Sequence, residues 1–147
     1  MVRIDISYDG DLHCQARHAP SGTQLETDAP VDNHGRGESF SPTDLLATSL
    51  GTCMLTTMAI LATQKGYPMD GVRARVVKHM TKTQPRRVER LDAAIWAPAA
   101  TGRALDATAR AALEERAHNC PVRLSLLPAI EVPLTFEWEA AEGFAPA

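Results

Sequence analysis

Two cysteines, Cys53 and Cys120, belong to apolar helical patterns and are the residues whose type and position could do thiol chemistry. Cys53 lies near the middle of the longest apolar stretch of the chain, and Cys120 follows Leu113 by seven residues on a second apolar face. A cysteine reacts as its thiolate, whereas a buried free cysteine often acts only as a small hydrophobic residue. The pattern alone therefore leaves both a functional thiol pair and inert packing open.

A reactive Cys53 needs a cation, because its own helix does not activate it. It lies twelve residues after Ser41, about 18 Å along a helix, where the helix dipole has faded. Burial does not activate Cys53 either, because it raises the pKa of a thiol. The sequence offers four cationic candidates near the relevant elements: Arg17, His18, Arg36 and Arg123.

The two thiols are predicted to differ in role. Cys120 is expected at the C-terminus of its helix, where the dipole disfavours a thiolate. This asymmetry favours Cys53 as the attacking thiol and Cys120 as the resolving thiol. Cys14, which lies among N-terminal strands, is interpreted as structural.

No motif in the chain predicts a metal or cofactor site. His118 and Cys120 form a loose pair without the spacing of a known zinc motif, and no glycine-rich phosphate loop follows a strand. We therefore expect no metal and no cofactor, and a metal-thiolate site at His118 and Cys120 stays open as a minor alternative.

The helix that would position Cys53 has clear start and stop signals. Ser41 can cap it, Pro42 suits its first position, and Asp44 can accept from the exposed N–H groups of the first turn. Gly66 and Pro68 then form a stop signal. These signals predict a helix from the Ser41 cap to about Lys65.

That helix is apolar nearly all round, which predicts burial at the centre of the fold with Cys53 inside. Its segment Leu45 to Ala62 is an uncharged run of 18 residues, the lower limit for a membrane span. Five of these residues are Ser or Thr and no aromatic belt flanks them. We therefore favour a core helix and expect no membrane partner.

The remaining periodicities predict strands around two helices. Strands with alternating polarity are expected first, with Ile4 and Ile6 on one face. The order of elements predicts an α+β fold in which helices pack on an antiparallel-rich sheet, as a single domain over residues 1–147. The predicted elements are strands at Arg3–Tyr8, Leu12–His18, Thr23–Thr27, Val72–Met80, Val88–Trp96 and Ile130–Glu139, a connector at Ala97–Gly102, a helix at Leu105–Asn119 and a frayed tail at Ala140–Ala147.

Composition limits the function classes. The chain has 147 residues, 44% hydrophobic and 22% charged, with a net charge of −3 that does not indicate nucleic-acid binding. Three cysteines do not suggest a secreted disulfide framework, and the N-terminus lacks an apolar signal core. We expect a cytoplasmic protein.

Two separated segments resemble one protein family. PTDLLATSLGTCMLTTM, with Cys53 inside a long helix, resembles the OsmC/Ohr family, and NCPVRLSL, with Cys120, resembles the second cysteine motif of that family. The order of elements matches over nearly the whole chain.

The resemblance implies a fold and an activity. It implies an OsmC-like intertwined homodimer with active sites at the subunit interface, acting in oxidative-stress defence. It implies a peroxidase of organic hydroperoxides in which Cys53 is peroxidatic, Cys120 is resolving, and the two form a disulfide. The implied partners are a second copy, a small hydroperoxide and an external dithiol reductant.

One position departs from the well-studied branches, in which a Glu follows the Pro before the central helix. Here Thr43 follows Pro42, and the nearest acids are Asp44 and Glu38. Those branches also use an Arg from the N-terminal strands, for which Arg17 is available. The residues that could activate or orient Cys53 are thus Arg17, His18, Arg36, Glu38 and Asp44. The departure motivates an alternative, a non-catalytic OsmC-like dimer that binds a small ligand.

Overall fold

A computed structural model describes residues 1–143 of the chain. It forms two compact units, Met1–Leu46 and Ala47–Ala147, and one long helix runs across their boundary. The first unit is built on a small sheet, and the second combines another sheet with several helices. This composition confirms the predicted α+β class. The frayed tail was predicted for Ala140–Ala147, and residues 144–147 lie outside the described part.

The first unit is a three-stranded antiparallel meander. Its strands are β1 (Ile4–Gly10), β2 (His13–His18) and β3 (Gln24–Asp28), in that spatial order. Asp11 and Leu12 join β1 to β2, and both have positive φ angles (49° and 66°). A two-residue loop of this kind matches the right-handed twist of the flanking strands. All three predicted strands are present within a residue or two at each end.

The apolar face of β1 is not buried within the chain, which corrects the expectation of one dry face. Ile4, Ile6 and Tyr8 alternate along the strand, yet 58%, 71% and 66% of their surfaces are exposed. Leu25 on β3 lies on the same face through the register Ile6–Ala16–Leu25 and is 43% exposed. The predicted alternation of apolar and polar residues along β1 is correct, but nothing in the described chain covers its apolar face.

Helix α1 (Pro42–Lys65) has the predicted bounds and the predicted cap. The Ser41 N–H donates to Asp44 Oδ2 at 2.8 Å, and the Asp44 N–H donates to Ser41 Oγ at 3.1 Å. This reciprocal pair is a capping box with Asp in place of Glu. At the other end, Gly66 adopts a φ of +71°, the left-handed conformation that ends helices at glycine.

Only one face of α1 is buried, so the expected all-round burial is wrong. Leu50, Met54 and Met58 are fully buried, whereas Ile60 is 54% exposed and Cys53 is half-buried. By length and composition alone, the helix could cross a membrane, and 39% of its most apolar 18-residue segment is buried. Core helices of soluble proteins meet the same criterion.

The second unit has a sheet of three strands, β4 (Arg73–Met80), β5 (Val88–Pro98) and β6 (Leu134–Ala140), with β5 in the centre. β4 and β5 are antiparallel, but β5 and β6 are parallel. β5 buries Leu91, Ala93, Ile95 and Ala97 on one face, as the period-two pattern predicts. The predicted last strand begins later than expected, at Leu134.

Parallel strands need a crossover, and three helices provide it: α2 (Ala99–Arg103), α3 (Ala107–His118) and α4 (Pro121–Ser125). The expected connector at Ala97–Gly102 is largely helix α2. α2 lies against β6 so closely that a Cβ on Gly102 would be 1.3 Å from the Trp138 carbonyl oxygen. Asp106 caps α3 by accepting from the Ala109 N–H at 2.7 Å.

Candidate functional site

Cys53 and Cys120 are neighbours in the second unit, close enough for Cys53 to raise the pKa of the Cys120 thiol. Cys53 comes from the middle of α1, and Cys120 lies between α3 and α4. Cys120 is 0% exposed, Cys53 is partly exposed, and both thiols are free. The arrangement brings a partly exposed cysteine next to a fully buried one.

Cys120 is not the last residue of α3, which corrects its expected position. The helix ends at His118, Asn119 follows as its C-cap, and Cys120 is the N-cap of α4. The Arg123 N–H donates to Cys120 Sγ at 3.4 Å. The cap forms because Pro121 suits the first position of a helix and ends the preceding one.

Burial raises the pKa of the Cys120 thiol, and the neighbouring Cys53 raises it further. The Arg123 N–H and the charge of its guanidinium act in the opposite direction, with the smaller effect. The net pKa is above the ordinary value of 9.0, so Cys120 is a neutral thiol at neutral pH. Burial, rather than a helix C-terminus, is thus what disfavours the Cys120 thiolate.

Arg123 is the candidate cation that lies beside the thiol pair. Its Nη1 donates to the His118 carbonyl at 3.0 Å, which holds the side chain back over the end of α3. Its Nε is buried and has no hydrogen-bond partner among residues 1–143. An unpaired guanidinium N–H at this place can donate to an anionic group that enters the site.

A threonine one turn after Cys53 ties the two helices together. Thr57 Oγ1 lies 3.2 Å from the Arg116 carbonyl on α3 and 3.0 Å from the Cys53 carbonyl on its own helix. Sequence patterns did not single out Thr57, since a mid-helix threonine usually bonds within its own turn. Its contact to α3 helps to hold Cys53 opposite Cys120.

The other predicted site residues lie in the first unit. The Asp44 carboxylate accepts from the Ser41 N–H, so its observed role is capping. His18 Nδ1 bonds Ser21 Oγ at 2.7 Å, and Arg17 is exposed on β2. Cys14 lies on β2 opposite Tyr8 of β1.

Arg36 and Glu38 are brought together in the loop before α1. Arg36 Nη2 bonds Asp11 Oδ2 at 3.0 Å, and its Nη1 is 3.9 Å from Glu38 Oε2. Glu38 Oε2 also lies 3.3 Å from His13 Nε2. His13 and its neighbour Asp28 were not singled out in the sequence, because no motif spacing connects them.

Asp28 is a buried carboxylate at the end of β3. The Glu38 N–H, at 2.9 Å from Oδ2, is the main cause that lowers the pKa of Asp28, with His13, the backbone of Ala29 and the Arg36 N–H adding to it against burial. Asp28 is therefore ionised at neutral pH and organises the loop that precedes α1.

A large open groove lies elsewhere in the second unit. Its volume is about 1070 Å³, and Leu55, Trp96, Pro98, Arg73 and Arg75 contribute to its lining. Neither Cys53 nor Cys120 lines it.

Comparison with protein-family models matches residues 35–135 to the OsmC-like protein family. The chain belongs to the OsmC-like family. This match spans the loop before α1, both cysteines and the second sheet as far as β6. A comparison with curated proteins found no match.

Solved structures of OsmC-like proteins share the fold. A Psychrobacter arcticus 273-4 protein, named for an osmotic-stress-induced and detoxification response, is 40% identical with a TM-score of 0.83, covering 93% of this chain and 96% of its own. A Legionella pneumophila organic hydroperoxide resistance protein OsmC is 17% identical, with a TM-score of 0.67 and coverage of 93% and 96%. A Vibrio cholerae protein described for organic hydroperoxide resistance, with captopril in one of its active sites, is 15% identical, with a TM-score of 0.71 and coverage of 92% and 90%. The family thus includes hydroperoxide resistance proteins.

Proposed function

We propose that this OsmC-like protein is a thiol-dependent peroxidase that reduces organic hydroperoxides in oxidative-stress defence. The observation that carries the proposal is the proximity of a partly exposed Cys53 to a fully buried Cys120. A peroxidatic thiol must meet its substrate, whereas a resolving thiol must meet only the oxidised partner. The two burial states suit these two roles.

The reaction begins at the Cys53 thiolate. Its sulfur attacks the terminal oxygen of the hydroperoxide, the S–O bond forms as the O–O bond breaks, and the organic part leaves with a proton as an alcohol. Cys53 is thereby oxidised to a sulfenic acid. The Cys120 sulfur then attacks the Cys53 sulfur, an S–S bond forms, and water leaves. An external dithiol reduces this disulfide and is itself oxidised, so no bound cofactor is needed.

Arg123 is the cation that we assign to this site, with Arg17, His18 and Arg36 of the first unit as further candidate cations and Glu38 as a candidate orienting group. Its guanidinium already lowers the pKa of the adjacent Cys120. Its free buried Nε–H can donate to the oxygen on which negative charge develops as the O–O bond breaks. Asp44 is engaged in the helix cap and is given no role in the reaction.

We propose further that the protein acts as a homodimer in the cytoplasm. The exposed apolar face of β1, with Ile4, Ile6 and Tyr8, is the surface that a second copy would cover. Free thiols suit a reducing compartment. No membrane or nucleic-acid partner is part of the proposal.

The test measures consumption of cumene hydroperoxide with dithiothreitol as the electron donor. We expect turnover by the wild type, loss of turnover in Cys53→Ser, and wild-type turnover in the matched control Cys14→Ser. One equivalent of hydroperoxide should remove two thiols per chain and give a Cys53–Cys120 cross-linked peptide. Equal rates in wild type and Cys53→Ser, or a bridge that contains Cys14, would refute the proposal.

The groove at Leu55 and Trp96 favours a second candidate, a non-catalytic protein that binds a small ligand. Its volume of about 1070 Å³ is large enough for such a molecule, and it does not involve the thiols. Native mass spectrometry separates the two functions. A retained small molecule on a protein whose thiols ignore hydroperoxide indicates binding, whereas a rapid mass change on peroxide treatment indicates the enzyme.

A further inference from the structure

Three side chains of the first unit converge on one point, and we propose that His13, Asp28 and Glu38 bind a divalent transition-metal ion such as Zn²⁺. One ligand atom from each lies within 4.8 Å of the others. His13 is on β2, Asp28 ends β3, and Glu38 belongs to the loop before α1. None of the three ligands belongs to the thiol pair on which the proposed peroxidase reaction depends.

The separations between the donor atoms match those around a small metal ion. His13 Nε2 is 3.7 Å from Asp28 Oδ1 and 3.3 Å from Glu38 Oε2. Zinc–nitrogen and zinc–oxygen bonds are about 2.0–2.2 Å long, so two ligands of a tetrahedral ion are about 3.4 Å apart. His13 Nε2 therefore already lies near the spacing of metal ligands from one oxygen of each carboxylate, and one ligand atom of each residue lies within 4.8 Å of the others.

The Asp28 carboxylate shows that the site lacks a partner. Its side chain is 0% exposed, and its Oδ2 accepts from the N–H groups of Arg36 and Glu38 at 3.2 and 2.9 Å. Its Oδ1 is buried and accepts no hydrogen bond from any residue in the described range 1–143. A buried carboxylate oxygen without a partner is costly, and a cation at this point would satisfy it.

The histidine is held in the tautomer that binds metals. His13 Nδ1 lies 2.9 Å from the Asp11 carbonyl oxygen, which can only accept, so Nδ1 carries the proton. In the neutral ring, the lone pair is then on Nε2, the atom that faces the two carboxylates. A backbone carbonyl that orients a ligating histidine in this way is a common outer-shell feature of metal sites.

The backbone aligns the ligands before a metal arrives. His13 and Asp28 are directly opposite in the antiparallel β2–β3 pair, so their side chains share one face of the meander. Arg36 is a neighbouring cation, but its Nη2 is bonded to Asp11 Oδ2 at 3.0 Å while its Nη1 lies 3.9 Å from Glu38 Oε2. Two carboxylates and one imidazole therefore face the ion, a donor set that suits zinc and other borderline divalent metals.

The same geometry would also suit an ion pair in which a protonated His13 bridges the two carboxylates. A metal-binding measurement distinguishes the metal site from this ion pair. We would titrate metal-free full-length protein with Zn²⁺ by calorimetry and with Co²⁺ by visible absorption. We expect one ion per chain and a Co²⁺ spectrum without the thiolate charge-transfer band that ligation by a cysteine produces.

Variants then locate the site. His13→Gln and, separately, the more exposed Glu38→Gln should each weaken Zn²⁺ binding by more than about 100-fold, because even outer-shell groups are worth roughly 10–100-fold. The matched control is His79→Gln. In the wild type, His79 Nε2 also faces an aspartate, with Asp92 Oδ2 at 2.7 Å, but the two belong to no three-ligand cluster among residues 1–143. Thermal unfolding without metal checks that each variant folds, and Zn²⁺ should raise the melting temperature of wild type and His79→Gln only.

Three results would overturn the proposal. These are the absence of stoichiometric Zn²⁺ or Co²⁺ binding by the wild type, a thiolate band in the Co²⁺ spectrum, and unchanged Zn²⁺ affinity in both His13→Gln and Glu38→Gln. A lower melting temperature of His13→Gln, with no effect of Zn²⁺ on the wild type, would establish the ion pair instead.

Discussion

The environment of a single sulfur, Cys120, determines how the two thiols differ. Its burial and its contact with Cys53 favour the protonated thiol, and the nearby Arg123 only partly offsets them. A protonated thiol is a poor nucleophile, because the thiolate is the form that attacks an electrophile. In the reaction that we propose, Cys120 meets an electrophile only after Cys53 has become a sulfenic acid, which is the resolving step.

The raised pKa of Cys120 predicts how stability depends on pH. The folded state holds this proton more tightly than the unfolded chain does, so the stabilisation is present below the ordinary pKa of 9.0. It is lost as the pH rises through the higher pKa of the folded state. Urea unfolding under reducing conditions should show a steeper fall in the free energy of unfolding above about pH 9 for wild type than for Cys120→Ala.

Cys14→Ala is the control for this experiment, since it removes a thiol from β2 and leaves Cys120 in place. Parallel slopes for wild type and Cys120→Ala would show that the burial of this thiol has no energetic consequence.

Contacts between elements hold the two cysteines together. α1 supplies Cys53, and the segment after α3 supplies Cys120, so the approach of the two helices sets the distance between the sulfurs. Thr57 Oγ1 on α1 lies 3.2 Å from the Arg116 carbonyl on α3, and this contact shares the hydroxyl proton with the Met54 and Cys53 carbonyls of its own helix at 2.9 and 3.0 Å. Close packing of α2 on β6 at Gly102 shapes the crossover that contains α3.

Thr57→Val should loosen the link between α1 and α3 while keeping the side-chain shape. We expect a loss of about 1 kcal/mol in the free energy of unfolding, the net worth of one hydrogen bond. Disulfide formation after one equivalent of hydroperoxide should also slow, as followed by peptide mapping. Thr63→Val is the matched control, because that hydroxyl bonds only within its own helix, to Ala59 at 2.9 Å. Equal effects of the two substitutions would contradict a role for the inter-helix bond.

Gly102→Ala should disrupt the second unit, because the new Cβ would collide with the Trp138 carbonyl. The atoms that would collide belong to the backbone of β6, which cannot move aside without disturbing the sheet. We therefore expect the free energy of unfolding to fall by more than about 3 kcal/mol, measured by thermal and urea unfolding. At Gly66 nothing lies within 4 Å of an added Cβ, and only its positive φ of +71° opposes alanine. Gly66→Ala should therefore cost about 1 kcal/mol, and a larger loss there than at Gly102 would refute the packing argument.

At the scale of the whole molecule, the exposed apolar face of β1 is the feature that bears on assembly. Ile4, Ile6 and Tyr8 place three large apolar side chains on one face of a strand at the edge of the meander. A small isolated sheet is marginally stable, and an exposed apolar patch on it usually marks an interface. A second copy of the chain is the occupant that we propose.

Light scattering at micromolar concentration should give twice the chain mass of 15.9 kDa. Ile6→Lys should shift the protein toward monomer, because it places a charge in the centre of the proposed interface. Val77→Lys is the control, since Val77 is 39% exposed on the face of β4 that also exposes Arg73, Arg75 and His79. A monomeric wild type, or equal dissociation by both lysines, would contradict the dimer.

Local rules explain what could be predicted from the residues alone. The bounds and cap of α1, the period-two alternation of β5 and β6, and the α+β class all follow from capping residues and hydrophobic spacing within short windows. The assignment of Cys53 to the central helix had the same local basis, and the family resemblance came from contiguous motifs around Cys53 and Cys120.

Long-range contacts explain what required the tertiary structure. The parallel pairing of β5 with β6, the helix inside the expected connector and the contact between the two thiols depend on how distant segments pack. Burial of α1 on one face only has the same origin. So does the His13–Asp28–Glu38 cluster, whose members meet through the β2–β3 register and a loop folded back by the Asp28 carboxylate. A sequence pattern indicates the periodicity of an element and therefore which of its faces is apolar. Which other segment covers that face depends on the tertiary packing of the elements.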